Sequence, residues 1–113
     1  MNLKKISQLI SAELHAGSIN DQEIEFAFGS DLMSDVLTVE NSIPLLITGL
    51  ANTQSIRTAE MADINTIIIA RGKKITQGMM DLANDSDITL LSTSFSLFKV
   101  CGLLFQHGIK PLY

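Results

Sequence analysis

The segment Thr66-Ile67-Ile68-Ile69-Ala70 decides the fold. Four of its five residues are β-branched, and β-branched side chains pack well on a pleated sheet. The segment does not alternate between apolar and polar side chains, which is typical of a strand covered on both faces. Such strands occur in parallel sheets between layers of helices, so the segment predicts the central strand of an α/β fold.

Further strands are predicted on both sides of this segment. Residues 43–47 form a second continuous apolar run, with Pro44 confined to its start. Residues 24–28 follow a period of two and stop at Gly29. Residues 88–91 form the last run, and three polar residues follow it. With these segments we expect a sheet of about four to five strands.

Helical periodicity predicts one helix before the strand at residues 24–28 and a second helix after it. Asn2 is a good N-cap for an opening helix whose apolar positions reach Leu14 and which Gly17 closes. Ser30 and Asp31 offer N-cap oxygens to a second helix after the first strand. A tight strand-to-helix turn is therefore predicted at Gly29.

Three more helices follow. Thr53 can cap a helix that places Ile56 and Ala59 inward, and another helix is predicted from about residue 76 to 83. The last helix stops at Gly108, because glycine is a natural residue after a helix and Pro111 prevents its continuation. Its predicted buried stripe is Leu97, Phe98, Cys101, Leu104 and Phe105. The methionines predicted as core filler are Met33, Met61, Met79 and Met80.

This order of elements predicts a single domain over residues 1–113. Strands that alternate with helices through short links pair in parallel through right-handed crossovers. Helices then cover both faces of the sheet. The predicted fold is α/β, a three-layer α/β/α arrangement with a mostly parallel sheet.

Composition excludes several classes of protein. Hydrophobic residues make up 46% and charged residues 18% of the chain, outside the regime of intrinsic disorder. There are 12 acidic and 8 basic residues, and a net charge of −4 argues against nucleic acid as a partner. The single cysteine cannot form an intrachain disulfide. The apolar runs are too short for a membrane span, so we expect a cytoplasmic protein without membrane contact or a secretion signal.

Polar side chains follow each predicted strand. In open α/β sheets, ligands bind at the carboxyl ends of the strands, where helix N-termini present N–H groups. We therefore expect a small anion or a nucleotide-like metabolite over the turn of residues 48–54, with Arg71, Lys73 and Lys74 as cations. The candidate ligand-binding residues are Ser30, Asp31, Thr48, Gly49, Asn52, Thr53, Gln54, Arg71, Gly72, Lys73, Ser92, Thr93 and Ser94.

A structural role is the alternative for these residues. Ser30, Thr53 and Ser94 are good N-cap types, each worth ~1 kcal/mol of stability. The glycines at the strand ends permit turns. Under this alternative the polar strand ends are helix caps and not a binding site.

Catalytic motifs are missing from the sequence, which contains no phosphate-binding loop, dinucleotide-binding glycine motif, zinc-protease motif or nucleophile elbow. His15 and His107 lie far apart beside no predicted partner, which argues against a catalytic triad. Cys101 is predicted to be a buried hydrophobe and not a reactive thiolate. We expect no enzyme, no metal site and no cofactor; Arg57 and Glu60 are an alternative pair for acid/base chemistry.

A family resemblance rests on five ordered segments: GSDLMSDV (29–36), ITGL (47–50), RTAEM (57–61), ARGKK (70–74) and LSTSFSLF (91–98). They resemble the DRTGG domain over nearly the whole chain, most closely its small stand-alone members, which are similar to the N-terminal domain of HPr serine kinase/phosphatase. The resemblance implies a non-catalytic regulatory or ligand-sensing domain. The alternative that it leaves open is a protein-interaction or assembly module associated with a redox or metabolic enzyme system.

The last helix also predicts self-association. Phe95, Val100 and Leu103 lie outside its apolar stripe, so other surface must cover them. A symmetric homodimer is the expected solution. The alternative is that the opening helix, through Leu3 and Ile6, packs beside the last helix within one chain.

Overall fold

A six-stranded sheet lies at the centre of the protein, in a computed structural model that describes residues 1–39 and 44–113. The strands are β1 (Glu13–Ala16), β2 (Phe26–Gly29), β3 (Leu45–Thr48), β4 (Thr66–Ile69), β5 (Thr89–Ser92) and β6 (Lys110–Pro111). The helices are α1 (Leu3–Leu9), α2 (Met33–Val36), α3 (Thr53–Met61), α4 (Gln77–Asp85) and α5 (Leu97–Gln106). The strand order is β1-β5-β4-β3-β2-β6, and only β1 pairs antiparallel within this described sheet.

The predicted central strand is confirmed as β4. It pairs in parallel with β3 on one side and β5 on the other, and all four of its residues are buried. The neighbouring β3 is buried along its whole length as well. The predicted start of that strand, Ile43, lies outside the described residues. Two fully covered faces therefore explain why these segments show no alternation.

Helices cover the sheet in two layers, which confirms the three-layer α/β/α prediction. One hydrophobic cluster joins α2, α3 and α4 to one face, through residues such as Val36, Ile56 and Ala83. The second cluster joins α1 and α5 to the opposite face, through residues such as Ile6 and Leu104. The chain thus crosses from β2 to β5 over the first face and returns from β5 to β6 over the second face.

Two edge strands were missed by the prediction of about four to five strands. The predicted continuation of the opening helix to Leu14 is wrong, because α1 ends at Leu9 and Ser11 adopts a positive φ of 52°. The chain then pairs with the open edge of β5 and gains ladder hydrogen bonds there. At the other edge Pro111 belongs to β6, which pairs with β2. A proline is tolerated at such an edge because its missing N–H is not required.

The predicted buried stripe of α5 is confirmed at Leu104 and wrong at Phe98 and Phe105. Phe98 and Phe105 are 88% and 68% exposed, whereas Val100 and Leu104 are 0% and 1% exposed. The helix is apolar around most of its circumference, so its periodicity fits more than one face. Val100 and Leu104 share one cluster with the apolar residues of α1, which bears out the intrachain alternative for Val100. The expectation that a second copy covers Val100 is wrong, because its side chain is already buried within one chain. Cys101 is only half-buried.

The methionines divide between core and surface. Met33 and Met79 are buried, as predicted. The prediction for Met61 is wrong, because its side chain is 71% exposed at the last position of α3. The helix ends there since Asp63 takes a positive φ of 58°.

Candidate functional site

The carboxyl ends of β2, β3, β4 and β5 lie along one edge of the sheet, because these strands run parallel. Neighbouring strands are about 4.8 Å apart, so the ends span about 14 Å in the order β5-β4-β3-β2. We call residues 30–31, 48–54, 71–74 and 92–94 the strand-end rim. All the predicted ligand-binding residues belong to it, but hydrogen bonds give them different roles.

Asp31 joins the ends of β2 and β3. Its Oδ1 accepts a hydrogen bond from the Thr48 hydroxyl at 3.0 Å and one from the Gly49 N–H at 2.6 Å. The Thr48 hydroxyl oxygen accepts in turn from the Leu50 N–H at 3.1 Å. The predicted N-cap role of Asp31 is wrong, since α2 begins after Leu32 without a side-chain cap. Asp31 instead fixes the turn after β3.

Ser30 makes a local turn rather than a helix cap. Its hydroxyl oxygen accepts a hydrogen bond from the Leu32 N–H at 3.0 Å. Its own backbone N–H donates to the Ile47 carbonyl at 3.0 Å and so extends the pairing of β2 with β3. Both hydrogen bonds of Ser30 therefore stabilise the backbone at the end of β2.

Lys73, in the turn after β4, connects the end of β4 to the turn after β3. Its Nζ donates to the Gly49 carbonyl at 3.1 Å. The lysine is exposed, so its charge remains available to a ligand beside the same carbonyl. Asp31, Gly49 and Lys73 thus form one hydrogen-bonded series across three strand ends.

The cap of α3 is Asn52 and not Thr53. The Asn52 side chain accepts a hydrogen bond from the Ser55 N–H at 3.1 Å, and the Ser55 hydroxyl donates to the Asn52 carbonyl at 2.9 Å. Thr53 and Gln54 occupy the exposed first turn. The first N–H groups of a helix have no partner within it, so these two residues offer donors toward the strand-end rim.

Arg71 and Gly72 form the turn after β4. Both have positive φ angles, 74° and 66°. The Arg71 N–H donates to the Phe95 carbonyl at 2.7 Å, and the Gly72 N–H donates to the Thr93 carbonyl at 2.8 Å. These bonds tie the turn to the end of β5. The Arg71 side chain is exposed, and Ser94 is exposed across the same junction.

Thr93 is a buried connector to α1. Its hydroxyl donates to the Ile10 carbonyl at 2.6 Å and accepts from the Phe95 N–H at 3.2 Å. The side chain is only 3% exposed. These contacts favour a structural role for Thr93, and its binding role stays a prediction. The cap of α5 is Ser96, two residues after the predicted Ser94.

Ser92 bonds to His15, for which the sequence predicted no partner. The Ser92 Oγ and His15 Nε2 atoms are 2.6 Å apart. His15 lies at an irregularity in the pairing of β1 with β5, between Leu14 and Ala16. Bulges of this kind redirect side chains. The two residues are 77 positions apart, so no local pattern predicts the pair.

Eight of the predicted ligand-binding residues are exposed on the strand-end rim. They are Asp31, Asn52, Thr53, Gln54, Arg71, Gly72, Lys73 and Ser94. Lys74 is exposed beside them and was predicted as a cation. Asp31 places a carboxylate at the β2 end, so the β4 and β2 ends carry opposite charge.

An apolar cleft lies on the α5 face, away from the predicted residues. It has a volume of about 370 Å³ and extends between α5 and the strands β2 and β6. We call it the α5 cleft; its lining includes Ala27, Gly29, Phe98, Cys101, Gly102, Phe105 and Pro111. Burial raises the pKa of the Cys101 thiol, so the sulfur stays protonated. The cleft was missed because the two phenylalanines were predicted to be core.

Neither metal-ligating clusters nor long apolar helices occur in the described residues. Residues 1–39 and 44–113 contain no group of three or more His, Cys, Asp or Glu side chains placed to hold a metal ion. Within the same ranges, no helix has the length and hydropathy needed to cross a membrane. Glu60, an alternative acid/base candidate, accepts a hydrogen bond from the Ser86 hydroxyl.

Comparison with known proteins identifies a similar fold. No protein-family model and no curated protein matches the chain. The fold is similar to a crystal structure of the CBS and DRTGG domains of the regulatory region of Clostridium perfringens pyrophosphatase, complexed with the activator diadenosine tetraphosphate. The TM-score is 0.76 at 16% sequence identity, over 96% of this chain. The match spans 50% of that chain. It supports the predicted DRTGG-associated fold.

Proposed function

We propose that this chain is a non-catalytic regulatory domain that binds an anionic, nucleotide-like metabolite at the strand-end rim. The observation that carries the proposal is the change of direction between β4 and β5. The chain leaves β4 for α4 on one face of the sheet and leaves β5 for α5 on the opposite face. In open α/β sheets, ligands bind where neighbouring loops diverge in this way. Arg71 and Ser94 are the exposed side chains at that point.

Helix N-termini support an anion as the ligand. The helices α3, α4 and α5 start after Asn52, Thr76 and Ser96, and each follows a strand that ends on the strand-end rim. No acidic residue occupies the first turn of any of the three. Their positive dipole ends are therefore not neutralised locally, which favours negative charge nearby.

The charges also favour one orientation of a nucleotide. Phosphate groups fit the β4 end, near Arg71 and Lys73, where charge-assisted hydrogen bonds form. The Asp31 carboxylate disfavours phosphate at the β2 end but can accept hydrogen bonds from sugar hydroxyls. These ends are two strand spacings apart, about 10 Å, which suits a nucleotide lying along the strand-end rim.

The pyrophosphatase regulatory region supports the same class of ligand, because its structure contains a nucleotide activator. Regulation of a partner enzyme, a cytoplasmic location and similarity to the N-terminal domain of HPr serine kinase/phosphatase are parts of this proposal. Its non-catalytic part predicts that a bound nucleotide is recovered unchanged after incubation with the chain.

Isothermal titration calorimetry tests the proposal with diadenosine tetraphosphate, ATP and inorganic triphosphate as separate ligands. We expect binding by the native chain and a loss of about tenfold to 150-fold in Arg71→Ala, which corresponds to one charge-assisted hydrogen bond of about 1.5 to 3 kcal/mol. Lys73→Ala should weaken binding in the same direction. Binding of triphosphate alone would identify a simple polyanion site.

Lys4→Ala is the matched control. Lys4 is an exposed lysine of α1. This helix begins beside the chain that enters β2, so Lys4 lies near the amino ends of the parallel strands, away from the strand-end rim. The substitution Lys4→Ala removes the same charge as Lys73→Ala. Equal affinity for Lys4→Ala and Arg71→Ala, or no binding of any of the three ligands by the native chain, would refute the proposed site.

A protein-interaction or assembly module remains the second candidate function. The exposure of Phe98 and Phe105 favours it, since large exposed aromatic side chains mark interaction surfaces. A chain that binds no nucleotide but forms a stable complex through α5 would have this function alone.

A further inference from the structure

The end of β5 carries a shielded polar pair, which we call the His15–Ser92 pair. Ser92 is the last residue of β5, and its Oγ lies 2.6 Å from Nε2 of His15 in β1. The Ser92 side chain is 9% exposed and His15 is half-buried. The pair therefore meets solvent mainly at the imidazole.

The pair lies beside the point where the chain changes direction between β4 and β5. Ser92 is paired with Ile69, the last residue of β4, and Arg71 follows two residues later. A backbone N–H of the turn after β4 donates to the carbonyl of Thr93 at 2.8 Å, which holds this turn against the end of β5. Neighbouring strands are about 4.8 Å apart, so a phosphate chain that passes Arg71 next meets the His15–Ser92 pair.

A bulge places the imidazole at this position. The pairing of β1 with β5 shifts between Leu14 and Ala16, so His15 is an extra residue in the ladder. Bulges redirect a side chain and are frequent at sheet edges and next to active sites. The backbone ladder already joins β1 to β5, so the edge strand does not depend on this side-chain contact alone.

The hydrogen bond of the pair depends on the protonation of His15. A neutral imidazole has one donor and one acceptor nitrogen, so Nε2 can accept the hydroxyl proton of Ser92. An imidazolium carries hydrogen on both nitrogens, so Nε2 must donate to Ser92 Oγ and the serine hydrogen is free for a third group. Protonation therefore adds a positive charge and a free hydroxyl donor at the end of β5. Both favour a phosphate.

The elements around the pair carry charges of both signs. The helix α4 packs beside β1, since the Gly17 N–H donates to Asn84 Oδ1 at 3.4 Å. The turn after β4 contributes cations that repel an imidazolium, β1 and α4 contribute carboxylates that attract it, and β5 contributes no charge. A bound phosphate neutralises the cations and so removes the repulsion. These charged residues are Arg71, Lys73, Lys74, Glu13, Asp81 and Asp85.

We propose that His15 and Ser92 form a proton-dependent phosphate subsite, which holds the phosphates beyond Arg71 and binds them more tightly when His15 is protonated. This inference rests on the proposed function, because it assigns the β5 end of the same site. The ligand class is a nucleotide with a chain of phosphates, because a single phosphate at Arg71 does not reach the pair. Proton and ligand binding are then coupled, and each strengthens the other by the same factor.

Calorimetric titration of the full chain with diadenosine tetraphosphate at about pH 8 and about pH 5.5 tests the subsite, because histidine changes charge between these values. This ligand has no terminal phosphate, so the charge on its phosphates stays constant, whereas a terminal phosphate gains a proton at about pH 6. We expect the affinity of the native chain to be about tenfold higher at the lower pH, the gain from one charge-assisted hydrogen bond.

The chain has two histidines, so His15→Gln and His107→Gln are matched variants. A glutamine amide can donate to Ser92 but does not titrate, so His15→Gln should bind with equal affinity at both pH values. His107 follows the last turn of α5, at the end of that helix away from the strand-end rim, so His107→Gln should keep the tenfold gain. In the native chain, the ligand should shift the NMR ring-proton signals of His15 and leave those of His107 unchanged.

The outcomes separate this inference from the proposed function. Equal affinity of the native chain at both pH values, with binding still weakened in Arg71→Ala, overturns the subsite and leaves the proposed function standing. A pH dependence that persists in His15→Gln or disappears in His107→Gln also overturns the subsite, because another group then titrates. Unshifted His15 ring signals in the ligand-bound native chain overturn it without any substitution. Absence of binding at both pH values refutes the proposed function and the subsite together.

Discussion

The substitution Thr93→Val distinguishes a structural residue from a ligand-binding residue on the strand-end rim. The hydroxyl of Thr93 donates to the Ile10 carbonyl at 2.6 Å and accepts from the Phe95 N–H at 3.2 Å. Valine has nearly the same volume, so the substitution removes both hydrogen bonds without opening a cavity. It leaves the two backbone groups without this partner.

The expected loss of stability follows from those two groups. An unsatisfied buried donor or acceptor costs about 1 to 3 kcal/mol, and the Phe95 N–H is only partly buried, so the total should be about 2 to 3 kcal/mol. For a chain of 113 residues, one kcal/mol corresponds to roughly 4 °C in melting temperature. The melting temperature should therefore fall by about 8 to 12 °C.

Calorimetric melting and urea unfolding measure this change, with Thr53→Val as the control. Thr53 has the same side chain but lies exposed in the first turn of α3, so its substitution should stay within about 0.5 kcal/mol. If Thr93→Val unfolds within about 0.5 kcal/mol of the native chain, the connection from β5 to α1 does not have the structural role argued above.

Three further predictions concern backbone, hydrogen bonding and thiol chemistry. Gly17→Ala should destabilise by about 2 kcal/mol or more in urea unfolding, because Gly17 has a φ of 77° and an added Cβ would lie 2.8 Å from a backbone atom of β5; an unchanged midpoint would contradict the conformation. A double-mutant cycle of His15→Ala and Ser92→Ala should give a coupling energy of about 0.5 to 1.5 kcal/mol, and additivity would refute their contact. The raised pKa of Cys101 means that folding disfavours the thiolate, so the stability of the fold should decrease as pH rises past the pKa of the thiol in the unfolded chain. Maleimide should therefore label Cys101 near pH 8.5 faster in urea than in the native chain, and equal labelling rates would contradict the burial of the thiol.

The buried strands could be predicted from sequence because local composition and tertiary environment agree there. The isoleucines of β4 favour extended structure and occupy a fully covered strand. The α5 stripe could not be predicted, because apolar residues surround most of that helix and its neighbours decide which face is buried. Val100 faces the sheet and α1, whereas Phe98 faces outward.

The edge strands and the rim hydrogen bonds depend on contacts between distant segments. β1 takes its conformation from the open edge of β5, which no local pattern near Leu14 reveals. Asp31 bonds to the turn 18 residues later, although the sequence beside it resembles a helix start. The positions of polar residues at strand ends could be predicted from topology. Only the structure shows which of these side chains bond to the backbone and which face solvent.

Amide chemical-shift mapping by NMR tests the central claim most directly. Titration of the ¹⁵N-labelled chain with diadenosine tetraphosphate should shift the amide signals of Gln54, Gly72 and Ser94, which lie on the strand-end rim, and should leave the amide of Lys4 in α1 unchanged. The shifts should disappear at the same ligand concentration in Arg71→Ala. Unchanged spectra throughout the titration, or shifts confined to α5 and β6, would contradict a nucleotide site at the strand ends.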